Sequence, residues 1–150
     1  PPRPHPYAEF AASRSLAAEA IDARGKRHPL RDWAAQRTPV GALAGIARPE
    51  VFFAMLRQQG LNLVYTLALP DHAPASQIGA ALREAATPRG TPPIWLCTDK
   101  DAIKLHGLHE AFLPGQASLW RVPLELTPER AWFAAVDRHL QRLRPRSAAL

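Results

Sequence analysis

Residues 94–104 read Ile-Trp-Leu-Cys-Thr-Asp-Lys-Asp-Ala-Ile-Lys, and this stretch constrains the fold more than any other. Four apolar residues, the length of a buried strand, give way at once to Thr98, Asp99, Lys100 and Asp101, and helix-forming residues follow. A strand that delivers polar groups directly to a helix start is the building step of an open α/β sheet, where ligands collect beyond the carboxyl ends of the strands. The same step occurs upstream, where Leu67-Ala68-Leu69-Pro70 runs into Asp71-His72. Two polar clusters at the ends of two apolar strands predict one rim of one site.

The flanking pattern repeats this alternation. Val40-Gly41-Ala42-Leu43-Ala44-Gly45-Ile46 is an apolar run of small residues, a buried strand in which Gly41 and Gly45 permit close approach of a helix or ligand. Pro49 and Glu50 open a helix with Phe52, Met55 and Leu56 on one face, and Gly60 stops it. A strand follows over 61–69. Ser76 is placed to cap a helix faced by Ile78, Ala81, Leu82 and Ala85, and Thr87-Pro88-Arg89-Gly90 is a turn. After the strand over 93–97 comes a short helix over 99–105. Residues 118–126 read as one strand, which Pro123 confines to a sheet edge. Thr127-Pro128-Glu129 starts a last helix faced by Phe133, Val136, Leu140 and Leu143 and ended by Pro145. Earlier, residues 16–23 alternate as a strand, Arg24-Gly25-Lys26 is a turn and 31–36 a helical turn. The β-α-β-α order predicts an α/β fold with a mostly parallel sheet and flanking helices. The expected organisation is a proline-rich stretch over 1–12, a linker region over 13–38, an α/β lobe over 39–117, a return linker strand over 118–126, a helix over 127–144 and a tail over 145–150. Strands 16–23 and 118–126 are expected to pair as a two-stranded linker.

Composition narrows the function. Of 150 residues 47% are apolar, enough for one packed domain, and no run approaches the roughly 20 apolar residues of a membrane span. No signal-peptide pattern is read in the opening Pro-Pro-Arg-Pro. The only methionine is Met55, so a piece of a longer protein is expected, although N-terminal processing gives the same pattern. One cysteine, Cys97, excludes an intrachain disulfide and reads as a buried structural thiol. The formal charge of +6 suits an anionic partner such as nucleic acid, a phosphorylated metabolite or an acidic membrane surface. Arg138, Arg142, Arg144 and Arg146 form a basic group near the end that also suits a solvated helix terminus. Trp33, Trp95, Trp120 and Trp132 are not interleaved with basic residues as in nucleic-acid binders, and read as packing residues. His106 and His109 have helical metal-ligand spacing without a third ligand nearby, so no metal site is expected. Neither G-x-x-x-x-G-K-[ST] nor G-x-G-x-x-G occurs.

Asp71 and His72 suit proton transfer, with the imidazole as acid or base and a carboxylate to orient it. They suit equally a loop aspartate beside an exposed histidine. Thr98, Lys100 and Asp101 suit anion binding at a helix start, or plain helix capping.

Three motifs in register add a family. Ala44-Gly45-Ile46-Ala47-Arg48-Pro49-Glu50-Val51-Phe52-Phe53, then Leu69-Pro70-Asp71-His72, then Thr98-Asp99-Lys100-Asp101-Ala102-Ile103-Lys104 resemble the tetraacyldisaccharide 4'-kinases, whose pattern is A-G-I-(G/A)-x-P-x-x-F-F, D-H and T-E-K-D-A-V-K. The resemblance spans about residues 14–143 and points to the C-terminal half. It implies an α/β/α lobe of a P-loop-type kinase with a two-stranded linker. It also implies transfer of the ATP γ-phosphoryl group to the 4'-hydroxyl of an acylated glucosamine disaccharide 1-phosphate, giving lipid IVA for lipid A and lipopolysaccharide. ATP and Mg²⁺ would be held mainly by an N-terminal lobe that this chain lacks, leaving it inactive alone. The enzyme would sit peripherally at the cytoplasmic face of the Gram-negative inner membrane and bind no nucleic acid. By resemblance His72 is catalytic, working with an aspartate of the other lobe, Asp71 is its local orienter, and Thr98, Lys100 and Asp101 line the substrate site or an inter-lobe surface. Asp99 replaces the family glutamate, and Ala73-Pro74 follows His72 where an aromatic or polar residue is common. Without the resemblance, the residues also suit a non-catalytic α/β module for an anionic ligand such as a nucleotide-sugar or phospholipid headgroup.

Overall fold

The computed structural model describes residues 8–85, 92–105, 113 and 117–143. The expected turn at 87–90, the histidines His106 and His109, most of the proline-rich start and the tail lie outside the described residues. The chain divides into two compact units, Leu16–Leu124 and the pair Pro1–Ser15 with Glu125–Leu150.

The larger unit holds a six-stranded sheet. Its strands are β2 (Glu19–Asp22), β3 (Arg27–Pro29), β4 (Pro39–Ala44), β5 (Asn62–Ala68), β6 (Ile94–Cys97) and β7 (Ser118–Arg121), in the order β3-β2-β7-β6-β4-β5. β7, β6, β4 and β5 run parallel, while β2 is antiparallel to both β7 and β3. The mostly parallel α/β sheet is therefore present, extended by an antiparallel hairpin. The small β3 was not anticipated, because three residues carry too little alternation. Its turn is held by Asp22, whose Oδ1 accepts the N–H groups of Arg24 and Lys26 at 2.9 and 2.8 Å, with Gly25 at φ +83°.

Helices α1 (Leu30–Ala35), α2 (Pro49–Gln58), α3 (Ala75–Glu84) and α4 (Asp99–Lys104) connect the strands. β4, interior between β6 and β5, is buried on both faces, as its small apolar residues require. Val40, Ala42 and Ala44 pack with Trp33 of α1 and with Phe52, Phe53 and Leu56 of α2. Leu43 packs on the opposite side with Trp95, Cys97, Ile78 and Leu82. α2 starts at Pro49 and stops before Gly60, at φ +79°. Ser76 does not cap α3: the helix opens at Ala75, with Pro74, two residues before Ser76, in the capping position and no side-chain cap bond. The fixed φ of proline already sets the entry, and Ser76 falls inside the first turn.

Gly41 answers a close approach. A Cβ there would lie 2.7 Å from the Trp95 ring, which is fully buried and meets Tyr65 edge-on. Gly41→Ala is therefore expected to destabilise the protein by about 1–3 kcal/mol through overpacking. A thermal melt checks this, and an unchanged midpoint would show that the indole can move aside.

The expected strand over 118–126 divides. β7 ends at Arg121, and the chain resumes as β8 (Leu124–Pro128). Pro123 lies in the break rather than on an edge strand, and β7 is interior, between β2 and β6. A proline cannot donate to a ladder, so the chain leaves the sheet there instead of occupying its border. The expected pairing of 16–23 with 118–126 is present as β2 against β7, but inside the main sheet, whereas the separate two-stranded sheet joins β1 (Ala12–Leu16) to β8.

In the smaller unit, β8 continues through Thr127 and Pro128, and the last helix, α5 (Arg130–Leu143), begins later than its apparent start signal. Sheet pairing keeps Thr127 extended, with its carbonyl accepting from Ser13 Oγ at 3.5 Å. None of the α5 residues is buried, and Trp132 meets Phe133 edge-on.

Candidate functional site

The carboxyl ends of β6, β4 and β5 lie side by side, which brings the two polar clusters to one rim. β5 is extended by Leu69, whose N–H donates to Ala44 at 3.0 Å, and Pro70 then turns the chain. The turn closes with the Ala73 N–H donating to the Pro70 carbonyl at 3.1 Å. His72 occupies its third position with φ +64°, a conformation turns usually give to glycine or asparagine. For histidine it costs on the order of 1–3 kcal/mol, and it persists only where the surroundings fix it. The turn aims the imidazole outward, and its side chain is 80% exposed. Asp71 and His72 lie beyond the strand, so strand alternation does not part them. Asp71 Oδ1 accepts the His72 N–H at 3.0 Å, and Oδ2 stands 3.7 Å from Nε2.

α4 is built on a buried knot. Thr98 caps it, its Oγ1 accepting the Asp101 N–H at 3.3 Å and donating to Asp101 Oδ2 at 2.8 Å. The same Oδ2 accepts the N–H of Gly45 at 2.9 Å, tying the loop after β4 to the helix after β6. Gly45 is required by this approach: a Cβ there would lie 3.0 Å from Asp101 Oδ1 and 3.3 Å from the Pro70 carbonyl. Thr98 and Asp101 were expected to line the site. Both are buried instead, Asp101 completely, because the carboxylate satisfies inward-facing donors. Capping and ligand-facing roles use the same residue types, so spacing alone did not part them.

Lys100 does reach the rim, where its ammonium pairs with Asp71. One helical turn on, Lys104 Nζ donates to the Ala73 carbonyl at 2.9 Å and lies 3.8 Å from Asp101 Oδ1. Asp99 is held by Arg121 at 2.5 Å. The close approach expected at Gly45 is present, whereas Lys104 and the Asp99–Arg121 pair were not singled out from the sequence as site residues. The i, i+4 spacing of Lys100 and Lys104 was the available signal.

The Lys100 hydrogen bond, reinforced by the charges of His72 and Lys100, holds the Asp71 carboxyl below the usual carboxylate range against partial desolvation. A depressed native value means that the contribution is present above the ordinary carboxylate range and is lost as pH falls through the lower native value. The Asp71 side-chain carboxyl-carbon resonance in the full-length protein should therefore titrate below the ordinary range, and Lys100→Met should raise its midpoint. An unmoved midpoint would remove Lys100 as the cause. Burial, with the charges of Asp101 and Asp99, pushes the Cys97 thiol far up, consistent with an inert structural residue. Among the described residues, no group of three or more His, Cys, Asp or Glu side chains is gathered to hold a metal ion.

The tetraacyldisaccharide-1-P 4'-kinase family pattern matches residues 5–141. The chain belongs to this family. It is 46% identical over 130 residues to the tetraacyldisaccharide 4'-kinase of Polaromonas sp. (strain JS666), covering 85% of this chain and 34% of the relative. It is 39% identical over 139 residues to that of Delftia acidovorans, covering 90% of this chain and 36% of the relative. The chain thus spans about a third of the length of these curated relatives. A crystal structure described as the "apo" form of LpxK from Aquifex aeolicus, in complex with ATP, superposes with a TM-score of 0.55 at 19% identity, over 89% of this chain and 35% of that one. That likeness supports the fold.

Proposed function

We propose that the chain supplies the His72-bearing lobe of a kinase that moves the ATP γ-phosphoryl group to the 4'-hydroxyl of tetraacyldisaccharide 1-phosphate, giving lipid IVA. The supporting observation is the Pro70–Ala73 turn, which spends backbone strain to hold an exposed imidazole beside a carboxylate at the carboxyl rim of a parallel sheet. Phosphoryl transfer needs little covalent help from protein, and positioning with charge stabilisation supplies most of the catalysis. His72 takes the proton of the attacking sugar hydroxyl, and Asp71 stabilises the imidazolium that forms. Lys100 keeps Asp71 ionised for that task. Thr98 and Asp101 act beneath the surface, fixing α4 and the Gly45 loop.

ATP with Mg²⁺ supplies the phosphoryl donor and neutralises its charge. The described residues offer neither a phosphate loop nor a carboxylate cluster for these groups, so they are assigned to the part of the enzyme outside this chain. The β1–β8 pair is assigned the role of linker, in place of the expected strands over 16–23 and 118–126. No helix among the described residues is long and apolar enough to cross a membrane. The proposed location is peripheral, at the cytoplasmic face of the inner membrane, where the acylated substrate lies.

The test is phosphoryl transfer by the full-length protein from ATP labelled at the γ-phosphoryl group. Label is expected at the 4' position of the disaccharide. Label recovered only as inorganic phosphate, with the lipid unmodified, would overturn the reading.

A further inference from the structure

We infer that Lys104 is a positioning residue for His72, acting through the backbone of Ala73 rather than on substrate. The kinetic consequence rests on the proposed function; the geometry does not.

A non-glycine residue at φ +64° persists where its surroundings fix it, and here both neighbours of His72 are held. On the N-terminal side, Asp71 accepts the His72 N–H and is itself held by Lys100. On the C-terminal side, the Ala73 carbonyl accepts from Lys104 Nζ at 2.9 Å, and the Ala73 side chain is buried. Lys100 and Lys104 stand four residues apart on one face of α4, so a single helix grips both neighbours of His72. Lys104 is in turn steadied by Asp101, which the Gly45 N–H and Thr98 hold from below. The linkage runs from Gly45 through Asp101 and Lys104 to Ala73 and His72.

Exposure separates this role from phosphate binding. A lysine that meets a phosphate presents its ammonium to the site as a point charge. The Lys104 side chain is only 23% exposed, and its ammonium faces a carbonyl and a buried carboxylate. Its chemistry is directed inward, at the turn.

The experiment uses the full-length kinase. Lys104→Met is expected to lower kcat by roughly 10- to 100-fold, the scale of a misplaced catalytic group. KM for ATP should stay unchanged, and deuterium uptake across 70–73 should rise. Lys104→Arg, which keeps the charge and donors, should restore most of kcat. Lys104→Met also leaves the Asp101 charge without its ammonium, so instability must be separated from mispositioning. The double variant Asp101→Asn/Lys104→Met removes both charges while keeping an acceptor for Gly45. It should recover thermal midpoint relative to Lys104→Met yet keep the low kcat. Recovery of kcat together with the midpoint would overturn the inference, as would wild-type uptake across 70–73 in Lys104→Met. If His72→Asn itself retains wild-type kcat, the catalytic reading falls, and the exchange measurement still decides the clamp.

Discussion

His72→Ala in the full-length enzyme is expected to lower kcat by about 10²–10⁴-fold, the range for loss of a general acid–base group. KM for ATP should barely change, since nucleotide binding is assigned elsewhere. The loss should appear in kcat and kcat/KM alike, because the proton moves only as the phosphoryl group is transferred. Alanine at positive φ adds strain of its own, so His72→Asn is the sharper variant. Asparagine tolerates the left-handed conformation, which His72 holds at φ +64°, and keeps the turn while removing the imidazole. Equal losses in both variants would place the effect in proton transfer. Wild-type turnover in His72→Asn would remove His72 from the mechanism.

The parts of the fold that were legible in the sequence carry their reasons locally. β4 reads from its run of small apolar residues, α2 from Pro49, Glu50 and Gly60, and β6 with α4 from the abrupt step at Thr98. What was misread depends on distant partners. Thr127-Pro128-Glu129 carries a helix-start signal, but pairing with β1 keeps Thr127 and Pro128 in a strand. Pro123 read as a mark of an edge strand over 118–126, yet β7 is claimed by β2 and β6, and the chain leaves the sheet at Pro123. The site divides in the same way. Asp71 and His72 announce themselves at a strand end. The groups that fix them come from 29 and 31 residues away, as Lys100 to Asp71 and Lys104 to Ala73. Whether Asp101 faces a ligand or the interior is decided by Gly45, 56 residues earlier, and no local pattern contains that choice.

Asp101 is where that distant dependence should be most costly to break. Its fully buried carboxylate accepts from the Gly45 N–H and the Thr98 hydroxyl through Oδ2, while Oδ1 faces the Lys104 ammonium at 3.8 Å without a hydrogen bond. Asp101→Ala leaves the amide and hydroxyl without an acceptor, and the mostly buried ammonium without its counter-charge. Breaking a buried pair from one side costs roughly 3–5 kcal/mol, far more than the pair's net worth, because the stranded groups keep their desolvation penalty. At about 2–4 °C per kcal/mol for a domain of this size, the thermal midpoint should fall by roughly 10 °C. Asp101→Asn keeps an oxygen acceptor for Gly45 and should lose much less, on the order of 1 kcal/mol. The difference between the two variants measures the knot itself, since both remove the charge. An Asp101→Ala protein that melts with the wild type would mean that water reaches Gly45 and Thr98, and that α4 is anchored by packing alone. A large drop for alanine with a small one for asparagine would instead locate the anchor in the acceptor oxygen. The loop after β4, the start of α4 and the His72 turn would then share one hydrogen-bonded foundation.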